Sequence, residues 1–324
     1  MEFMKGMYLI WPDNDYIDKA IDSGINKFFF AMQHATKDII ESVFEKYSDK
    51  VEIIPMECFI DGRALPRDQQ FVHKGQYLEH TPCPTCKEFI KERFRIPLEM
   101  YNKYDCRSIA IDLECYGNGP GFISYFRDWE ESDYLCECDR CKKFNYFEQH
   151  TINANLIGEV FGDAIIHQLC YVNPYIWRTT DYWLNEFTYE EWGVWQKILK
   201  NTRKMKKDYD ATTKNSSGLW MEKFTADDYL KCLKKIVKAT SNDGYWLYPQ
   251  MRMSKNCFWR THPDDPYSKR ELANLPYHSF IDAPNDNTSD TEFFIKLKEL
   301  NNNIDDYRSG WWFGLRKWIS GWFR

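Results

Sequence analysis

Short apolar runs alternate with segments of helical periodicity along most of the chain. Met7–Trp11, Lys27–Met32 and Val51–Phe59 are rich in Ile, Val, Phe and Tyr and read as buried strands. Between them, Asn14–Ser23 and Thr36–Tyr47 space their apolar residues as helices do, the second through Ile39, Ile40, Val43, Phe44 and Tyr47. A long excursion from Ile60 to Cys86 is followed by a helix over Lys87–Tyr104 and a strand over Ser108–Tyr116. The pattern continues with a helix over Lys142–Phe161, a strand over Ala164–Val172 and a doubtful short strand near Thr180–Leu184. Tyr189–Tyr209 reads as helix, Ser217–Phe224 as strand, Ala226–Ala239 as helix, Gly244–Pro249 as the last strand and Asp290–Asn301 as a closing helix.

Strands recurring every 20 to 25 residues or so, with helices between, mark parallel βαβ units. The prediction is an α/β fold: one (β/α)8 TIM-like barrel over residues 1–300, with long loops after strands three and four. Residues 301–324 form an aromatic amphipathic tail. Within Gly310–Arg324, a helix would put Trp311, Leu315, Trp318 and Trp322 on one stripe and Arg316, Lys317 and Arg324 opposite. That pattern suits a membrane-surface helix, or one packed on the barrel's flank or on a second subunit.

With 324 residues and 43% apolar content the chain can bury a large core, and its net charge of −6 argues against nucleic acid as a partner. No apolar run approaches the roughly 18 residues of a membrane span. Met1–Pro12 lacks the features of a signal peptide, so a cytoplasmic location with reduced thiols is expected. Aromatic residues reach 17%. Their flat faces serve a core or stack on sugar rings.

Under reducing conditions, clustered cysteines among the 11 point to metal before disulfides. Cys136, Cys138 and Cys141 stand in C-x-C-x-x-C spacing, and Cys83 or Cys86 offers the fourth sulfur of a tetrahedral, structural zinc site. The strand Ile109–Tyr116 carries Asp112 and Glu114, which alternation sends to the same face. Carboxylates at the C-terminal end of a barrel strand are seldom there for packing. Glu222, ending the seventh strand, is the candidate partner carboxylate, with Glu57 and Asp61 in reserve. Trp11, Tyr116, Tyr171, Trp220 and Tyr248 stand near strand ends as candidate sugar-binding rings, with His34, His167 and Gln250 as polar neighbours.

A glutamate ending strand four, Tyr116-Gly117 after it and the C-x-C-x-x-C beyond resemble the zinc-containing β-galactosidases of glycoside hydrolase family 42. The motif match spans roughly residues 50–145. The resemblance implies an acid/base at Glu114, a nucleophile at Glu222, and zinc on Cys136, Cys138, Cys141 and Cys83 or Cys86. Leu113 stands where that family has Asn, so a contact to the substrate 2-hydroxyl is missing. Asp112-x-Glu114 is also similar to the substrate-assisted chitinases, in which Asp112 would orient an acetamido group. The expected activity is hydrolysis of a glycosidic bond in an oligosaccharide or glycoside, probed against two alternatives. One is a carbohydrate-binding barrel without turnover. The other is a hydrolase acting at the metal itself, for which His80 is the nearby open-site ligand.

Overall fold

A computed structural model describes residues 2–10, 12–59, 64–112, 135–169, 181–187, 214–220, 224–239, 243–248 and 288–308. Eight of its strands are parallel: β1 (Met4–Leu9), β2 (Lys27–Ala31), β3 (Glu52–Cys58), β6 (Ser108–Asp112), β7 (Ile165–Leu169), β8 (Tyr182–Phe187), β9 (Lys214–Trp220) and β10 (Gly244–Tyr248). They pair in the order β1-β10-β9-β8-β7-β6-β3-β2, and β1 closes the ring by pairing with both β2 and β10. The fold is α/β and TIM-barrel-like. The strand doubtful in sequence, β8, sits between β7 and β9 with Tyr182 opposite His167 and Lys214.

Seven α-helices accompany the ring among the described residues: α1 (Asn14–Asp22), α2 (Lys37–Tyr47), α3 (Lys87–Arg93), α4 (Arg95–Lys103), α5 (Tyr146–Phe161), α6 (Ala226–Lys238) and α7 (Asp290–Asn302). The helix expected over 189–209 and the tail Gly310–Arg324 lie outside the described residues. Side-chain caps start the helices where the sequence offers them: Asp13 for α1, Thr36 for α2 and Thr225 for α6. Asn145 and Glu148 form a reciprocal capping box at α5, which therefore begins at Tyr146 rather than at the expected Lys142. The expected single helix Lys87–Tyr104 is two, broken at Phe94. Pro97 has no N–H to give the carbonyl four residues back, so it is accommodated only in the first turn of a new helix.

Strand alternation sorts the core into an inside and an outside. Tyr8, Phe29, Ile54, Met56, Ala110, Leu169, Leu184, Trp246 and Tyr248 cluster within the ring. Their neighbours Met7, Phe28, Phe30, Ile53, Tyr245 and Leu247 pack outward beneath the helices. The fully buried Trp246 is accommodated by Gly218, where a Cβ would overlap the indole ring. Gly218→Ala is expected to overpack the barrel and destabilise it by about 1–3 kcal/mol, read as a lower urea midpoint. The last helix adjoins the first, with Asn301 accepting from the Tyr245 hydroxyl at 2.7 Å and donating to the Ser23 carbonyl at 2.8 Å.

The excursion after β3 holds an antiparallel hairpin, β4 (Gln70–His73) and β5 (Gln76–Pro82). Its turn, Lys74-Gly75, has positive φ at both residues (49° and 77°), as a tight two-residue hairpin turn requires.

Candidate functional site

The loops that follow β3 and β6 carry the thiols. At the end of the hairpin, the Cys83 amide donates to the Gln69 carbonyl and the Cys86 amide to the Cys83 carbonyl, forming a tight turn. The Cys138–Cys141 segment makes a similar turn, with the amides of Cys141 and Lys142 both donating to the Cys138 carbonyl at 2.9 Å. The two are drawn together by the hairpin: Glu137 N–H donates to the Val72 carbonyl at 2.9 Å, and Val72 N–H points at Cys136 Sγ at 3.4 Å.

The result is a group of four sulfurs, from Cys83, Cys136, Cys138 and Cys141, all within 4.8 Å of one another. Cys83 Sγ lies 3.5 Å from Cys138 Sγ and 3.3 Å from Cys141 Sγ. Those separations exceed a disulfide bond and approach the about 3.8 Å edge of a tetrahedron with metal–sulfur bonds of about 2.3 Å. Such a group can hold a metal ion. Of the two upstream cysteines, Cys83 joins it. Cys86 does not: its thiol faces the Glu88 carboxylate at 3.9 Å, and burial pushes it above its ordinary range. Hydrogen bonds from Cys136 and Cys141 draw the Cys83 thiol well down, while those same contacts and burial hold Cys136 up. A dication would let all four ionise. Cys106 and Cys232, away from the group, are pushed up to about 12 by burial.

The group contains thiols alone. His80 is not a member, and its Nε2 lies 3.9 Å from the Glu79 carboxylate. Among the described residues the set is four sulfurs, three of them buried, and an all-thiol set of that kind matches the composition of structural ion sites. Three polar residues around it had escaped the sequence reading. Thr85 Oγ1 lies 3.1 Å from Cys141 Sγ, and the amides of Gln149 and Asn153 hold the two cysteine turns from α5. The capping signature Asn145-x-x-Glu148 was the available clue that α5 starts just short of Gln149.

Asp112 ends β6 inside the ring and is 1% exposed. The Tyr8 hydroxyl, reaching across from β1, donates to its Oδ2 at 3.0 Å. Tyr8→Phe removes a donor from a buried carboxyl, and about 1–3 kcal/mol of stability is expected to go with it, with the urea m-value unchanged. Tyr248 is 4% exposed, its ring 4.7 Å from that of Tyr8 and edge-on to Trp246. The expected sugar-stacking face is thus engaged in core packing. His167 is likewise buried, stacked on Tyr182 at 4.5 Å and edge-on to Phe29.

Glu57 takes the other face of its strand. Ile54 and Met56 point into the ring, so Glu57 points out toward α3, where Arg93 pairs with it at 2.9 Å. A carboxylate locked to a buried guanidinium on the barrel's outer wall is no partner for Asp112 or Glu114, and the reserve role expected for it is withdrawn. Glu114, Glu222, Asp61, Trp11, Tyr116, Tyr171 and Gln250 lie outside the described residues, as do the side chains of His34 and Trp220. A cavity of about 430 Å³ opens at the opposite, N-terminal end of the strands, lined by Phe3, Lys5, Tyr182, Asp243, Asn301 and Arg308.

Ring, outer helices and thiol-bearing loops together define a TIM-barrel-like protein with a candidate metal centre on the loops after β3 and β6. No protein-family model matches the chain, and no curated protein does. Solved structures do. An α-amylase from Anoxybacillus is similar at a TM-score of 0.50 and 11% identity, over 94% of this chain and 80% of that one. An α-amylase from Geobacillus thermoleovorans, complexed with acarbose, gives 0.50 and 10%, over 93% and 78%. At such identities the likeness is one of fold.

Proposed function

We propose that the chain is a glycoside hydrolase on a complete (β/α)8 barrel, with Glu114 as general acid/base and a structural zinc on Cys83, Cys136, Cys138 and Cys141. The observation that carries this reading is Asp112, an acid turned into the ring at the C-terminal end of β6. Side chains alternate along a strand, so a β6 continued by two residues would turn Glu114 the same way, one layer nearer the mouth. A carboxyl at a barrel rim shielded from water would have its pKa raised toward the range of a proton donor near neutrality, the role proposed for Glu114. The amylases contribute the precedent of a fold that houses glycosidic chemistry; the residues argued for are this chain's own.

In the retaining form of the reaction Glu114 protonates the leaving oxygen and Glu222 attacks the anomeric carbon, with the two carboxyls roughly 5–5.5 Å apart. In the substrate-assisted form the acetamido oxygen of the substrate attacks instead, oriented by Asp112. The buried, hydrogen-bonded setting of Asp112 favours a positioning part for it over proton transfer to solvent. Trp11, Tyr116, Tyr171 and Trp220 are the proposed stacking rings. Tyr248 is left out of that set because its ring is packed on Tyr8. The zinc supplies no reaction step. Its four thiolates tie the hairpin after β3 to the loop after β6. Turnover of aryl glycosides and N-acetylated oligosaccharides by the wild type and by Glu114→Gln tests the reading.

A further inference from the structure

Helix α5 approaches the thiol group with two amide side chains one turn apart, Gln149 and Asn153, both buried. At a spacing of four residues they share a face of the helix. Gln149 is fully buried and uses both ends of its amide on one cysteine turn. Its Oε1 accepts from the Cys136 N–H at 2.9 Å, and its Nε2 donates to the carbonyls of Cys136 at 2.8 Å, Cys141 at 3.1 Å and Phe144 at 3.2 Å. Asn153 serves the other turn, donating from Nδ2 to the Pro84 carbonyl at 2.8 Å. Pro84 lies between Cys83 and Cys86, so its carbonyl sits inside the turn that presents the Cys83 sulfur.

We propose that Gln149 and Asn153 are the positioning residues of the metal site, each holding one of the two cysteine turns at the spacing that tetrahedral coordination needs. This rests on the metal reading above and adds the parts of the chain that set its affinity. The physical ground is the cost of ordering. Cys136 and Cys141 are buried at the two ends of a turn whose intervening residues reach the surface, and a backbone polar group buried there without a partner is costly. One amide answers three carbonyls and one N–H, so the Cys136 and Cys141 sulfurs are fixed relative to α5 before a metal arrives. Four ligands already in place lose less freedom on binding than four that must be gathered. Neither residue belongs to the group of four sulfurs. Their action is through the backbone that carries the ligands.

The test is metal affinity on the full chain, measured by competition of zinc(II) with a chromophoric chelator and by cobalt(II) titration followed through thiolate charge-transfer and ligand-field absorption. Gln149→Leu keeps most of the volume and removes all four hydrogen bonds. Zinc affinity is expected to fall about 10- to 100-fold, as for other outer-sphere partners of metal ligands, at unchanged stoichiometry. Asn153→Ala loses a single bond and is expected to give a smaller drop, which keeps the test open should Gln149→Leu fail to fold. Phe161→Ala is the control for plain destabilisation. It sits 12 residues beyond Gln149 on α5, about 18 Å along the axis, and removes an edge contact with Phe94. It should lower the melting temperature and leave zinc affinity and the cobalt spectrum alone. Equal affinity in wild type, Gln149→Leu and Asn153→Ala would overturn the assignment, as would a loss in Phe161→Ala as large as theirs. A wild type that binds neither ion sinks the metal reading itself, a result distinct from either.

Discussion

Glu114→Gln is expected to lower turnover of a natural glycoside by about 10²- to 10⁴-fold, the range over which a positioned proton donor accelerates such a step. The amide keeps the shape and hydrogen-bonding capacity of the acid but has no proton to give, so binding of an uncleaved oligosaccharide should persist. The loss should shrink for aryl glycosides with acidic phenols, because a leaving group stable as an anion needs little help from an acid. That dependence on leaving group separates a missing acid from a disturbed fold. Glu222→Gln then distinguishes the two forms of the reaction. The retaining form loses its nucleophile and should fall as far as Glu114→Gln, while the substrate-assisted form should respond weakly and only N-acetylated substrates should be cleaved. Full activity in Glu114→Gln would remove it from the chemistry. A wild type that binds sugars without cleaving any would point to the carbohydrate-binding alternative.

Metal removal carries the second large effect. A ligand that binds only the folded state stabilises it by RT ln(1 + [L]/Kd), so zinc held at 1,000 times its dissociation constant adds about 4 kcal/mol. Chelation should therefore lower the melting temperature by several degrees, and Cys136→Ser should do the same without chelator. The change should be local first. Val72 and Glu137 amides, which tie the hairpin to the cysteine loop, should lose hydrogen-exchange protection, while Phe29 and Leu247 in the barrel sheet keep theirs. Thiols ligate as thiolates, so zinc uptake should release protons and weaken as pH falls. Activity that vanished at a temperature where the fold stayed intact would favour a catalytic ion, against the all-thiol composition of the group.

The alternation of apolar runs and helical segments was readable without coordinates because most ring strands are short, dense apolar runs; β9, Lys214-Asn-Ser-Ser-Gly-Leu-Trp220, is the exception. Each ring strand overlaps an expected run, with shifted bounds at β1, which begins three residues before Met7, and at β9, which begins three before Ser217; Lys27–Ala31 is a plain case, with four of its five residues buried. The C-x-C-x-x-C likewise announced itself, since ligand spacing is local. The break at Phe94 and the late start of α5 were legible in principle, through Pro97 and the Asn145–Glu148 box, but periodicity alone ran across both. The hairpin was missed because Lys74-Gly75 is a weak turn signal and β5, with only its last two residues buried, shows no apolar run.

The chain by itself thus determined the order of its elements and the close spacing of three thiols, whereas the inward facing of Asp112 was decided by the ring, because both faces of β6 are buried. Tertiary structure decided the rest. In β3 both faces are buried, so Ile53-Ile-Pro-Met-Glu-Cys58 has no polar alternation to say which side is in, and only the closed ring turns Glu57 outward to Arg93. The choice of Cys83 over Cys86 depends on how a hairpin folds back 53 residues upstream of Cys136, a distance across which spacing rules carry no information. Gln149 and Asn153 follow the same logic: an amide on a helix is an ordinary residue until the turns it must satisfy are brought to it.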